Sequence, residues 1–158
     1  MASERAPAAQ VPCAAASEAR AGVDVERTRQ IREAMPFAAA LGVDVLEGPP
    51  DEVSARVAWD ASLCTTGGAL HGGLLMALAD TCGGACAFAN LPDGSIGTTT
   101  IESKTNFFRA VRQGYVTAHA RPLHAGRTTI VVETDLFDDD GKRVARVTQT
   151  QAVLRPDR

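Results

Sequence analysis

Residues 72–90 read GGLLMALADTCGGACAFAN, and before the closing Asn90 only Asp80 and Thr81 interrupt the run of small and apolar side chains. At about 1.5 Å per residue the stretch is long enough for a five-turn helix. Asn90 to Gly94 carries its stop signals. Apolar residues fall all round it, which predicts a central buried helix rather than a surface one.

Working outward, four β-runs follow, at 96–108, 114–122, 127–137 and 143–154. The linkers RAVRQG, LHAG and DDDGK each contain a glycine where a hairpin needs positive φ. Upstream, GVDVLEG and EVSARVAWD alternate apolar and polar residues around Gly48-Pro49-Pro50-Asp51, which predicts two further strands. Val53, Ala55, Val57 and Trp59 would share one strand face. From Val23 to Ala40 the pattern is helical, with Pro36 as a break and Gly42 as a stop. Two strands before a buried helix and four after it make an α+β domain in which the sheet wraps the helix. The reading is one domain over 23–158, with no internal repeat. Residues 1–22 form an Ala-rich tail with too little apolar surface to offset the entropy of ordering.

Composition bounds the rest. The 158 residues suit one domain, and 45% apolar residues allow a core. Only 4% are aromatic, so that core must be built from small and aliphatic groups. A net charge of -3 argues against a nucleic-acid binder. The first twenty residues lack an apolar stretch behind a basic head, so no secretory signal is read. No uninterrupted apolar run reaches the roughly 18 residues of a membrane span. The expectation is a soluble, cytoplasmic protein with no membrane partner. Cys13, Cys64, Cys82 and Cys86 form no C-x-x-C and no cluster of zinc spacing. Cys82 and Cys86, one helical turn apart, read as small buried hydrophobes. No metal is expected, and Asp138-Asp139-Asp140 before Gly141 reads as turn chemistry.

Two features of the helix point to chemistry. The first amides of any helix lack internal partners and carry partial positive charge. Gly72 and Gly73 would let a ligand approach those amides with no Cβ in the way, a place to stabilise an oxyanion. The alternative is that the glycines only turn the chain into the helix, with His71 as a polar flank. Asp80 is the second feature, since a carboxylate among Leu78, Ala79, Cys82 and Ala85 is costly to desolvate; the alternative is a buried Asp satisfied by a neighbouring hydroxyl or amide, with Gly83 and Gly84 serving close packing. Gly83 and Gly84 follow it and open the helix surface to another backbone or to a ligand. Burial there would disfavour the charged carboxylate and make it a better base near neutrality.

HGGLLMALAD, from His71 to Asp80, resembles the signature of hotdog-fold acyl-CoA thioesterases of the PaaI-like, phenylacetyl-CoA thioesterase group. The resemblance runs on through TTTIESKTNFFRAVRQGYVTAHARPLHAGRTTIVVETDLFDDDGKRVARVTQTQAVL and covers about residues 38–154. It implies a hotdog fold, an antiparallel sheet wrapped around one long helix, and hydrolysis of an acyl-CoA to the free acid and CoA. The amides of Gly72 or Gly73 would polarise the thioester carbonyl. Asp80 would be general base or nucleophile, and Thr100 would help place the water. His71 belongs to the same motif. Six residues before it relatives often carry Asn, which contacts the thioester; here Thr65 stands, and a hydroxyl cannot copy an amide donor. Arg127 and Gly126 in HAGRT, with Arg109 and Arg112, sit at hairpin ends where CoA phosphates could bind; the alternative is that these arginines are solvated turn charges, and the resemblance favours Arg127. CoA enters as part of the substrate, and no separate cofactor is expected.

Gly72 and Asp80 lie eight residues apart, about 12 Å along one helix, while a base must come within about 3 Å of the reacting atoms. Two antiparallel helices in a two-fold homodimer would bring Asp80 of one chain to Gly72 of the other. The expectation is therefore a homodimer, or a homotetramer built from it. Two other readings are a hotdog dehydratase or hydratase, which would want a paired acid and base that is not seen, and a non-catalytic acyl-CoA-binding regulator.

Overall fold

Asp24 starts the first helix. In the computed structural model, which describes residues 22–46 and 51–156, its carboxylate accepts the Arg27 N–H at 2.9 Å, satisfying one of the orphan donors of a helix start. Helix α1 (Val25–Ala34) carries Arg29 between Glu26 and Glu33 on its outer surface. Met35 leaves helical geometry, and Pro36 opens a second short helix, α2 (Pro36–Ala40). This is the break expected at Pro36. Gly42, at φ +70°, turns the chain out of α2.

The strands are β1 (Asp44–Val45), β2 (Val53–Ala58), β3 (Gly97–Phe107), β4 (Tyr115–Ala125), β5 (Thr129–Asp138) and β6 (Arg143–Leu154). All pair antiparallel in the order β1-β2-β4-β5-β6-β3. Helix α3 (Gly72–Ala89) crosses one face of the sheet and ends at Asn90, whose amide donates to the Cys86 carbonyl at 2.8 Å. Two strands before the helix and four after it agree with the expected α+β class.

The core is small and aliphatic, as the composition requires. Ala55, Val57, Val116, Ala118, Ala120, Ile130, Val132, Leu136 and Val147 of the sheet are buried against Leu75, Leu78, Ala79, Cys82 and Cys86 of α3. Phe37, Phe88, Phe107 and Phe108 all lie exposed. Val53 and Trp59 pack at the margin of the face that Ala55 and Val57 occupy.

Several sequence expectations need correction. Helix α3 is not enclosed all round: Met76, Asp80, Gly84 and Phe88 recur every four residues and form a stripe that the sheet does not cover, with Met76, Asp80 and Phe88 exposed. By length and apolarity α3 matches a membrane span, yet eight of its residues are buried on the sheet. Strand β1 has two residues rather than the longer run expected. Strand β4 extends to Ala125 through an irregularity between Pro122 and His124. Gly114 and Gly141 have the positive φ expected of hairpin glycines, but Gly126 does not. Its need is close approach, since a Cβ would sit 3.0 Å from the Thr129 carbonyl oxygen and 2.6 Å from His124 Nε2. The tail (residues 1–21 of the 1–22 assigned), Cys13 and Gly48-Pro49-Pro50 lie outside the described residues.

The acidic turn is turn chemistry as expected. Asp138 Oδ1 accepts the Asp140 and Lys142 N–H groups at 3.1 and 2.8 Å, and Asp139 Oδ2 accepts the Tyr115 N–H at 3.0 Å.

Candidate active site

At its N-terminus α3 is capped by His71, whose extended backbone (φ -64°, ψ 136°) leads into the helix. The His71 Nδ1 accepts the Gly73 N–H at 2.9 Å. An accepting Nδ1 leaves the ring proton on Nε2. His71 is thus the helix cap, and it occupies one of the two amides expected to serve an oxyanion. The Gly72 N–H has no partner among the described residues and remains available. Both glycines also lie close to side chains of the same chain. A Cβ on Gly72 would meet the Phe107 ring at 3.3 Å, and one on Gly73 would lie 2.9 Å from His71 Nδ1. Thr65 stands exposed in the turn before the helix, its N–H bonded to the Ala69 carbonyl at 2.8 Å. The Cys64–Leu70 bridge holds this turn closed beside the cap.

Two turns further on, Asp80 meets residues remote in sequence. Thr100 Oγ1, on β3, donates to Asp80 Oδ1 at 3.4 Å. Gln149 Nε2, on β6, donates to the same oxygen. Gln149 also reaches Thr100 Oγ1 at 3.1 Å, and Gln151 Nε2 reaches it at 2.8 Å. Behind them Thr98 Oγ1 donates to Gln151 Oε1 at 2.9 Å. Thr100 was expected from sequence, whereas Gln149, Gln151 and Thr98 were not. The signal for the glutamines was present: Val147, Gln149, Gln151 and Val153 alternate along β6, so both amides share a face with buried valine.

Asp80 itself is exposed in the single chain, contrary to the burial expected, because the sheet leaves this stripe of α3 uncovered. It lines a groove of about 780 Å³ between α1, α3 and β3. Ile31, Met35, Val45, Leu46 and Phe88 give that groove its apolar walls, and Gly84 widens it. The two helical glycines thus separate in function. A Cβ at Gly84 would meet nothing within 4 Å, but one at Gly83 would collide with Gln149 Oε1. Beneath, burial pushes the Cys82 thiol up to about 12 and the Cys86 thiol up to about 11. Both are therefore poor nucleophiles, and they serve as core.

The phosphate-binding candidates are not brought together within one chain. Thr129, just past Arg127, pairs with Ala152, which pairs with Thr99 of β3. Arg109 lies beyond Phe107, at the far end of β3. Eight residues of strand separate these positions, about 26 Å. Arg127 and Arg109 are exposed and have no ion-pair partner among the described residues. The Arg112 guanidinium is held by the Gly67 carbonyl at 3.2 Å.

Comparison with known proteins gives this geometry a context. The thioesterase superfamily model matches residues 67–145, which contain the cap, α3 and strands β3 to β5. The proofreading thioesterase EntH of Cronobacter turicensis is 32% identical over 114 residues, covering 72% of this chain and 82% of its own. A mutant of thioesterase PA1618 from Pseudomonas aeruginosa superposes with a TM-score of 0.75 at 29% identity, over 80% of this chain and 93% of that one. The E. coli PaaI protein of the phenylacetic acid degradation operon shares the fold, with a TM-score of 0.70 at 22% identity over 82% of this chain and 94% of its own. By sequence the chain belongs to the thioesterase superfamily, whose general chemistry is hydrolysis of acyl thioesters, and by architecture it has the hotdog fold that PaaI shares.

Proposed function

We propose that the protein is an acyl-CoA thioesterase, acting as a homodimer or a dimer-based tetramer with Asp80 of one chain opposite Gly72 of the other. The observation that carries this reading is the position of Asp80: one carboxylate oxygen is fixed by Gln149 and Thr100, and Oδ2 has no partner among the described residues at the wall of an apolar groove. Water attacks the thioester carbonyl as Asp80 takes its proton. The oxyanion forms against the Gly72 amide, the C–S bond breaks, and CoA leaves as a thiolate of ordinary pKa about 8.5 that needs little acid assistance. The same carboxylate would alternatively attack as a nucleophile, giving an anhydride that water then opens. An oxyanion donor contributes about 10²–10³ in rate and a placed base about 10²–10⁴.

Dimer formation has physical support in the single chain. β3 is an eleven-residue strand at the sheet edge, bonded among the described residues only on its β6 side. A long free edge invites pairing. Ile96, Ile101, Phe107 and Phe108 are exposed on or beside it, and Met76 and Phe88 are exposed on α3. Such apolar surface favours a partner. Arg127, beside the close turn at Gly126, is an unpaired cation suited to CoA phosphate, and Arg109 would serve from the other end of the strand. Thr65, at the cap, would contact the thioester only through its hydroxyl. Nothing in this reading calls for a metal, nucleic acid or membrane, and it places the protein in the cytoplasm with its CoA substrates.

Release of free CoA, measured across aromatic and aliphatic acyl-CoA thioesters, tests the proposal. Hydrolysis by the wild type and its loss in a folded Asp80→Asn variant are expected. Tight binding without any hydrolysis would instead identify a regulator, and full activity in Asp80→Asn would remove the assigned role of the carboxylate.

A further inference from the structure

We infer that Gln149 is a positioning residue that aims Asp80 into the groove. This rests on the reading of Asp80 as the acting carboxylate. Gln149 is fully buried, on a strand face that it shares with Val147, Gln151 and Val153. An amide there is costly unless its polar atoms are paired, and only half of this one is. The Nε2 donates to Asp80 and Thr100, whereas Oε1 is buried with no hydrogen-bond partner among the described residues. A core chosen for stability alone would place an aliphatic side chain at this position. What the glutamine supplies is its donor.

The directions of the hydrogen bonds follow from the groups themselves. An ionised carboxylate only accepts, so the end of Gln149 facing Asp80 must be its NH₂. A hydroxyl has two acceptor positions and one proton. Thr100 Oγ1 receives one N–H from Gln149 and one from Gln151, and its proton is thereby directed to Asp80 Oδ1. Gln151, itself 1% exposed, is fixed in turn by Thr98. Both donors converge on one oxygen, which sets the carboxylate plane and leaves Oδ2 toward the groove. Gly83 completes the device, because any Cβ there would displace Gln149 Oε1.

Two replacements separate positioning from packing. Gln149→Met keeps the volume and deletes the donor. We expect kcat for acyl-CoA to fall about 10- to 100-fold, as for a reacting group misplaced by about 1 Å, with KM nearly unchanged and Tm equal or higher. Gln149→Glu keeps the shape but sets two carboxylates in contact, and such a pair shares one proton. Its rate relative to wild type should therefore recover on acidification. A purely structural role would lower Tm and leave both kcat per folded molecule and the pH profile as they were. Wild-type kcat in the Met variant overturns the inference. A readout without turnover keeps the two proposals apart: Asp80→Ala should shift the Gln149 side-chain amide signals in a ¹H–¹⁵N spectrum. If the wild type hydrolyses no thioester, the functional reading fails, and an unmoved Gln149 signal would then sink the coupling as well.

Discussion

Gln149 on β6 and Asp80 in α3 are joined by a hydrogen bond across 69 residues of sequence, and Gly83 lies where a side chain would break it. The clash partner of a Cβ at Gly83 is Oε1, the far end of a flexible side chain, with the Gln149 Cδ carbon at 3.2 Å. Gly83→Ala should consequently leave stability almost unchanged: the gain of about 1 kcal/mol in helix propensity offsets the displacement. Activity should not follow stability. We expect kcat to fall at least as far as in Gln149→Met, read by CoA release on samples of matched Tm, and retention of wild-type kcat would show that the amide does not need its place.

Gly84 makes the opposite prediction. No atom lies within 4 Å of its Cβ position, and it lines the groove beside Phe88. Gly84→Ala should stabilise the helix by up to about 1 kcal/mol. Gly84→Leu should narrow the groove and raise KM for the bulkier acyl-CoAs while sparing acetyl-CoA. A uniform change across acyl sizes would mean that the acyl group lies elsewhere.

The contrast between these glycines shows what was legible in the sequence. Periodicity and turn residues placed α3 and the four strands after it to within a few residues, because each pattern is local. The Asp80 anomaly was legible too, since a carboxylate in an apolar helix is conspicuous by itself. Its partner was only half legible: alternation sets Gln149 on the valine face of its strand, but only the register sets it against α3. Exposure of Asp80 was also hidden. An uncovered apolar face of a helix has the same composition as a covered one. At the cap, glycine and histidine were visible, but not that His71 Nδ1 would take up the Gly73 amide.

The outer face of the sheet predicts an acid limb of stability. The Arg146 hydrogen bonds at 2.7 and 2.6 Å, and then the charges of Arg143 and Arg121, hold the Asp135 carboxyl below the usual carboxylate range despite its burial. Glu52 is lowered likewise, chiefly by its hydrogen bond to His119 at 2.7 Å. A depressed folded-state value means stability that is complete above the unfolded value and lost as pH falls through the folded one. For Asp135 that window opens near the ordinary Asp value of about 3.9 and extends below it. At neutral pH Asp135→Asn should cost about 2 kcal/mol, the scale of a charge-assisted hydrogen bond. The difference from wild type in urea unfolding should shrink on acidification below about pH 4. A difference independent of pH would assign the effect to packing.

A site shared between chains has a consequence that no single-chain site shares. Gly72→Pro deletes the amide proposed for the oxyanion with little disturbance of the backbone, because proline is tolerated at the first helical position and His71 already has the extended conformation that a residue before proline prefers. The Phe107 ring, 3.3 Å from the Cβ position, must yield by only a few tenths of an ångström. This variant should lose about 10²–10³ in kcat, and Asp80→Asn should be comparably impaired. When the two are unfolded together and refolded as an equal mixture, half of the dimers carry one chain of each kind. In such a dimer one site combines both lesions, while the other combines an intact Asp80 with an intact Gly72. Activity should therefore return to about a quarter of wild type for a two-fold shared site. If each chain held a complete site, no mixed dimer would contain an intact one, and the mixture would remain as inactive as its components.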